Sequence, residues 1–131
     1  MENKLKGKKV FVTTVAFSGN NYLREKLIST GAIVKFNDTG RRLSPEELLH
    51  GLSSSDYAII GLDKINTSNI ANISNNLKAI SKYGVGLDNI DIDACEEKNI
   101  NILYSKGVNK RSVSELTIGT ALMLMRNIYF T

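Results

Sequence analysis

Two short stretches hold residue types at spacings that suit the chemistry of small anions. The first is Tyr83-Gly84-Val85-Gly86-Leu87-Asp88-Asn89-Ile90-Asp91, directly after an apolar run that reads as a strand. Two glycines around one apolar residue let the backbone bend until successive N–H groups share a concavity. Such a concavity holds a carboxylate or phosphate without a cationic side chain. Taken alone, Gly-x-Gly more often marks a tight strand-to-helix turn. Lys82, just before the loop, is either an anion contact or a solvated strand end. The second stretch is Gly107-Val108-Asn109-Lys110-Arg111-Ser112-Val113-Ser114-Glu115. Asn109 reads as a polar ligand contact or as a local backbone partner in its turn. Lys106, Lys110 and Arg111 cluster there and would favour a phosphorylated or dicarboxylic ligand, or form a solvated basic loop.

The remaining reactive side chains carry less. His50 is the sole histidine and closes a predicted helix far in sequence from the Gly-Val-Gly loop, where a cationic or hydrogen-bonding helix end accounts for it. The sequence has no nucleophile–base pair of recognisable spacing and no histidine/cysteine cluster with metal-ligand spacing. Cys95 is the single cysteine, with Asp91, Asp93, Glu96 and Glu97 around it. These acids would raise a thiol pKa and oppose nucleophilic use, so Cys95 reads as a small buried apolar side chain. One cysteine forms no internal disulfide, which points to a reducing, cytoplasmic setting.

Strand and helix signals alternate along the chain that must position these residues. Lys9 to Thr14 is a β-branched run, followed by the turn-rich Phe17-Ser18-Gly19-Asn20-Asn21. Tyr22, Leu23, Leu27 and Ile28 recur at helical spacing, and Gly31 is a C-terminal stop. Ala32 to Phe36 predicts a second strand. Ser44-Pro45-Glu46-Glu47 is a capping box with proline at the first helical position, so a helix runs to Gly51 or Ser53. The apolar run Tyr57 to Leu62 suits a strand covered on both faces. Ile65 to Asn76 is loop-like by composition, with Ile65, Ile70 and Ile73 giving a weak helix one apolar side. A fourth strand at Leu77 to Ser81, an acidic helix at Ile92 to Glu97 and a fifth strand at Ile100 to Tyr104 follow. A last helix starts at a second capping box, Ser112-Val113-Ser114-Glu115, and reaches Asn127. Five strands separated by helices imply parallel pairing with right-handed crossovers, hence a doubly wound, flavodoxin-like α/β domain with its ligand site beyond the carboxyl ends of the strands.

Composition agrees. At 131 residues, 42% hydrophobic and 23% charged, the chain fits one soluble domain. Its net charge of +4 comes from scattered basic residues with no interleaved aromatics, which argues against nucleic acid. The N-terminus lacks the apolar core of a signal peptide, and no apolar run approaches the roughly 20 residues needed to span a bilayer.

The two anion-suited stretches together resemble the N-terminal, substrate-side half of the D-2-hydroxyacid dehydrogenases, most of all the phosphoglycerate dehydrogenases of that family. The resemblance is clear over residues 57–128 and holds in outline before them. It implies an NAD-dependent fold whose Gly-Val-Gly loop binds a 2-oxo or 2-hydroxy acid carboxylate through the amides of Val85 and Gly86. Lys82 falls where phosphoglycerate dehydrogenases often have arginine, keeping the charge but losing the planar grip. Asn109 falls where the family has an asparagine near the substrate. The family's Asn-Thr-Pro is Tyr104-Ser105-Lys106 here, and loss of the proline frees that loop.

The family's Gly-x-Gly-x-x-Gly loop, its acidic ribose-binding residue and its catalytic arginine, glutamate and histidine have no counterpart among these residues. By resemblance, residues 1–111 are then a substrate-binding domain, residues 112–131 an interdomain or dimerisation helix, and the nucleotide-binding domain is absent. The expectation is a chain that binds no NAD and transfers no hydride alone. Between Thr120 and Arg126 the last helix has almost no polar face. With one side on the sheet, its other side requires a partner at residues 112–128, either the missing nucleotide-binding domain or a second copy. If the chain ends at Thr131, the family's helix returning from the extreme C-terminus is missing too, and a marginally stable or obligately oligomeric protein is then expected. The rival readings are a stand-alone small-anion or protein-binding oligomeric module and a remnant of a truncated gene.

Overall fold

A computed structural model describes residues 4–128. In chain order the elements are β1 (Lys9–Val12), α1 (Val15–Ser18), α2 (Asn21–Ile28), β2 (Ile33–Phe36), α3 (Pro45–Ser53), β3 (Tyr57–Ile60), α4 (Thr67–Ala71), β4 (Ala79–Lys82), α5 (Ile92–Glu97), β5 (Asn101–Leu103) and α6 (Lys110–Met125). The strands form one sheet in the order β2-β1-β3-β4-β5, with every pair parallel. This is the flavodoxin-type order, which reverses direction between β1 and β3.

That reversal puts helices on both faces of the sheet. Arg24 of α2 lies 4.0 Å over the ring of Phe36, which is in register with Val12. On the opposite face Gly51 of α3 abuts Phe11, so closely that a Cβ there would sit 2.1 Å from the ring. The main core lies on the Phe11 side. Phe11, Ala58, Ile60 and Ile80 from the sheet meet Leu48 and Leu52 of α3, Ile70 of α4, and Ala94 and Cys95 of α5. On the α2 side Val10 and Val12 are buried, but cover ends past β1. Tyr57, Ile59, Ala79 and Ser81 are half-buried there, and Leu103 is 57% exposed.

Local chemistry sets the helix starts. Ser44 accepts the Glu47 N–H at 3.2 Å, and Glu47 accepts the Ser44 N–H at 2.7 Å, closing the predicted capping box behind Pro45. Arg41 clamps the same carboxylate through two N–H groups at 2.8 and 2.9 Å. Asn66 and Asn69 form a second reciprocal cap, so the Asn-rich segment does carry a helix. Ile65, Ile70 and Ile73 are all buried, as the weak apolar stripe required.

Several sequence expectations need correction. The stretch read as a turn before Asn21 carries the short helix α1, and Phe17 buries its ring there. The strand expected to end at Ser81 extends to Lys82. The final helix starts at Lys110, so Ser112 is no cap. Ser114 instead bonds back to the Lys110 carbonyl, and Glu115 pairs with Arg111 at 2.7 Å. Nor does the sheet take one side of the last helix: α6 buries no side chain. Among the described residues no helix is long and apolar enough to cross a membrane.

Candidate functional site at the carboxyl ends of the strands

The Gly84–Gly86 turn leaves β4 where an α/β sheet presents ligands. Its ends are pinned by the Tyr83 N–H to the Ile60 carbonyl, 2.7 Å, and the Ile90 N–H to the Leu87 carbonyl, 2.9 Å. Between these pins the N–H groups of Gly84, Val85 and Gly86 find no acceptor among the described residues. Gly84 has φ +151°, a conformation other residues rarely adopt, and a Cβ at Gly86 would lie 2.8 Å from an Asp88 carboxylate oxygen. The turn therefore requires glycine at 84, a side chain at 86 would push the exposed Asp88 carboxylate aside, and the turn presents unpaired donors.

Lys82 is 9% exposed and turns its ammonium inward. Nζ donates to the Gly61 carbonyl at 2.6 Å and to Oδ1 of Asn89. The Asn89 amide donates onward to the carbonyls of Asp63, 2.6 Å, and Gly61, 3.2 Å. Asp63 in turn accepts the Thr13 hydroxyl and, at 3.4 Å, the Gly61 N–H. One network thus ties together the ends of β1, β3 and β4 behind the Gly-Val-Gly turn. It leaves the ammonium one further N–H and no carboxylate within ion-pair distance among the described residues. Asn89, Asp63 and Thr13 were not singled out from sequence. Only the Asn in the nine-residue loop gave a signal, and nothing local revealed its partner.

Asn109 heads α6 without capping it, is exposed, and makes no side-chain hydrogen bond among the described residues. No hydrogen bond joins it to Val85 or Gly86. His50 stands exposed in the last turn of α3. Cys95 is fully buried, and its thiol is pushed up to about 11, first by burial and then by the charge of Asp91. Asp91 itself is held below the usual carboxylate range by the Thr67 hydroxyl, 2.6 Å, and the Ala94 N–H that it caps. Among the described residues no cluster of histidine, cysteine or acidic side chains could hold a metal.

Two cavities open beside the network. The smaller, about 310 Å³, sits at the β1/β3 reversal between Thr13, Val15, Leu62 and Tyr83. The larger, about 530 Å³, runs between the start of α3 and α4 past Leu43, Leu48 and Leu49. Arg42, Leu62 and Asp63 line both. A dinucleotide does not fit the Gly84–Gly86 turn as a cradle. The third glycine position of such a motif is Asn89, whose side chain is locked inward, and no long helix starts there to face a pyrophosphate.

The sequence and fold match known proteins. Hydroxypyruvate reductase of Thermotoga maritima is 34% identical over 90 residues, covering 69% of this chain and 29% of that protein. D-3-phosphoglycerate dehydrogenase of Methanocaldococcus jannaschii is 36% identical over 86 residues, covering 66% of this chain and 16% of that protein. The 3-phosphoglycerate dehydrogenase of Entamoeba histolytica, solved with NAD+ bound, superposes with a TM-score of 0.71 at 28% identity. That match covers 89% of this chain and 39% of the other. The chain therefore spans well under half the length of these relatives. The family model for the D-isomer specific 2-hydroxyacid dehydrogenase catalytic domain matches residues 10–128, and the chain belongs to that family.

Proposed function

We propose that residues 1–111 are the substrate-binding part of an NAD-dependent D-2-hydroxyacid dehydrogenase of the phosphoglycerate dehydrogenase kind. The observation that carries this reading is the row of unpaired N–H groups in the Gly84–Gly86 turn. The amides of Val85 and Gly86 hold the carboxylate of a 2-oxo or 2-hydroxy acid. Lys82 supports them from behind, its buried charge and third N–H favouring an anion at the turn. Asn109, with its amide side chain uncommitted, reaches the acid from the start of α6. The segment 112–131, of which α6 is the described helix, meets a nucleotide-binding domain or a second copy, and NAD belongs to that complete assembly. These residues bind and orient the acid, and do not reduce or oxidise it alone. The exposure of Leu116, Ile118, Leu122 and Met125 favours a second reading as well, an oligomeric module that binds a small anion or a protein.

Titration with 2-oxopentanoate, followed by amide NMR, tests the site. Saturable shifts at Val85 and Gly86 that disappear in Gly86→Val support it. Shifts elsewhere, or binding untouched by Gly86→Val, refute it.

A further inference from the structure

Lys82 brings a cation to the base of the glycine turn, and the oxygens it bonds are all neutral. Its stem lies against the turn, since a Cβ at Gly84 would sit 3.2 Å from Lys82 Cε. The buried ammonium donates to the Gly61 carbonyl and to Oδ1 of Asn89. The amide nitrogen of Asn89 is anchored on the carbonyls of Asp63 and Gly61, which keeps its oxygen turned to Lys82. No acid of this region closes an ion pair with the ammonium. Asp63 turns a carboxylate oxygen onto the Thr13 hydroxyl and the Gly61 N–H. Asp91 is taken by the Thr67 hydroxyl and the Ala94 N–H, and Asp88 is exposed beside Gly86. Burying a cation without a counter-ion is unfavourable, and neutral dipoles offset that only in part. A carboxylate in place of the Asn89 amide would offset it further, and would quench the field that draws an anion to the turn.

We propose that Asn89 is a positioning residue for anion binding: it holds the Lys82 ammonium behind the Gly84–Gly86 turn with a neutral oxygen, so that the carboxylate of the bound acid supplies the missing counter-charge. The assignment rests on the reading of the turn as the carboxylate site. Asparagine and aspartate have the same shape, so what matters at position 89 is the absence of charge.

Two variants separate this role from a merely structural one. Asn89→Leu and Asn89→Asp both lose the amide donations to Asp63 and Gly61. Only aspartate keeps an oxygen for Lys82, and it adds a negative charge. Calorimetric titration with 2-oxopentanoate should rank wild type first, Asn89→Leu second and Asn89→Asp last, with Asn89→Asp at least about tenfold weaker than wild type. A bracket that only shapes the loop predicts the opposite order of the two variants, because the restored bond to Lys82 rescues binding. Asn89→Asp binding as tightly as Asn89→Leu, or more tightly, therefore overturns the assignment. If Asn89→Leu does not give a folded amide spectrum, Asn89→Ser takes its place as the neutral comparison. The wild type adds a reading that needs no variant. It should bind 2-oxopentanoate about tenfold or more above the neutral 2-oxopentanamide, and equal binding overturns the counter-charge. Acid binding that Gly86→Val removes, combined with the reversed variant order, sinks the role of Asn89 alone. Absent binding, or binding indifferent to Gly86→Val, sinks the carboxylate site and the role of Asn89 with it.

Discussion

Lys82, at the end of β4, and Asn89, beyond the glycine turn, hold each other across the loop, and both also bond the Gly61 carbonyl. Removing Asn89 leaves the buried Lys82 ammonium with one bond fewer, and removing Lys82 leaves Oδ1 of the half-buried Asn89 without its donor. Lys82→Met and Asn89→Leu should each destabilise the fold by about 1–3 kcal/mol. The double variant should cost clearly less than the sum, because the two changes remove one shared interaction. Urea unfolding of the four proteins measures this, and strictly additive costs would mean that the bridge contributes nothing.

Two glycines on helices should respond in opposite ways to alanine. At Gly51 the new Cβ meets the ring of the fully buried Phe11, so overpacking of about 1–3 kcal/mol outweighs the ~1 kcal/mol gained in helix propensity. At Gly119 on α6 a Cβ meets nothing within 4 Å. Gly51→Ala should lower the melting temperature, while Gly119→Ala should leave it unchanged or raise it. A Gly51→Ala protein as stable as the wild type would show that α3 shifts freely on the sheet.

Glu47 makes stability depend on acid. Its carboxyl is lowered to about 2, first by the Arg41 side-chain bond and then by the Ser44 N–H. A depressed folded-state value contributes stability above the ordinary 4.5 that is lost as pH falls from there toward about 2. Urea midpoints of wild type and Glu47→Gln should therefore differ most at neutral pH and converge in acid. A gap that stays constant with pH would remove the charge from the explanation.

The apolar side chains of α6 should draw chains together. Ile118, Leu122 and Met125 share one helical face and are 62%, 55% and 79% exposed. Sedimentation at micromolar concentration should show association that Ile118→Glu with Leu122→Glu abolishes. A wild-type chain that sediments as a monomer would show that α6 does not meet its own kind.

What could be read from the sequence was what is decided locally. Ser44, Pro45 and Glu47 announce α3 because a cap is a contact between residues three apart. The same signature at Ser112 and Glu115 misled, since Arg111 lies one helical turn from Glu115 and pairs with it inside the helix. The parallel, doubly wound sheet followed from the alternation of strands and helices, while its order β2-β1-β3-β4-β5 is set by contacts distant in sequence. The glycine turn was legible through its two glycines and its place after a strand. Its bracing was not, because Lys82 meets Gly61 across 21 residues of chain and Asp63 meets Thr13 across 50. Hydrophobicity marked α6 as needing cover without revealing that the sheet does not provide it. Arg41 and Arg42 look alike in the sequence, and only the structure shows that Arg41 is the one committed to Glu47.

The buried sulfur of Cys95 has a practical consequence. As the sole thiol of the chain, held neutral in the layer of α5 against the sheet, it is shielded from aqueous reagents while the fold is closed. Alkylation then becomes a clock for excursions that lift α5, with slow labelling limited by each opening event. A single mass measurement over time would rank ligands by how firmly they hold the domain shut.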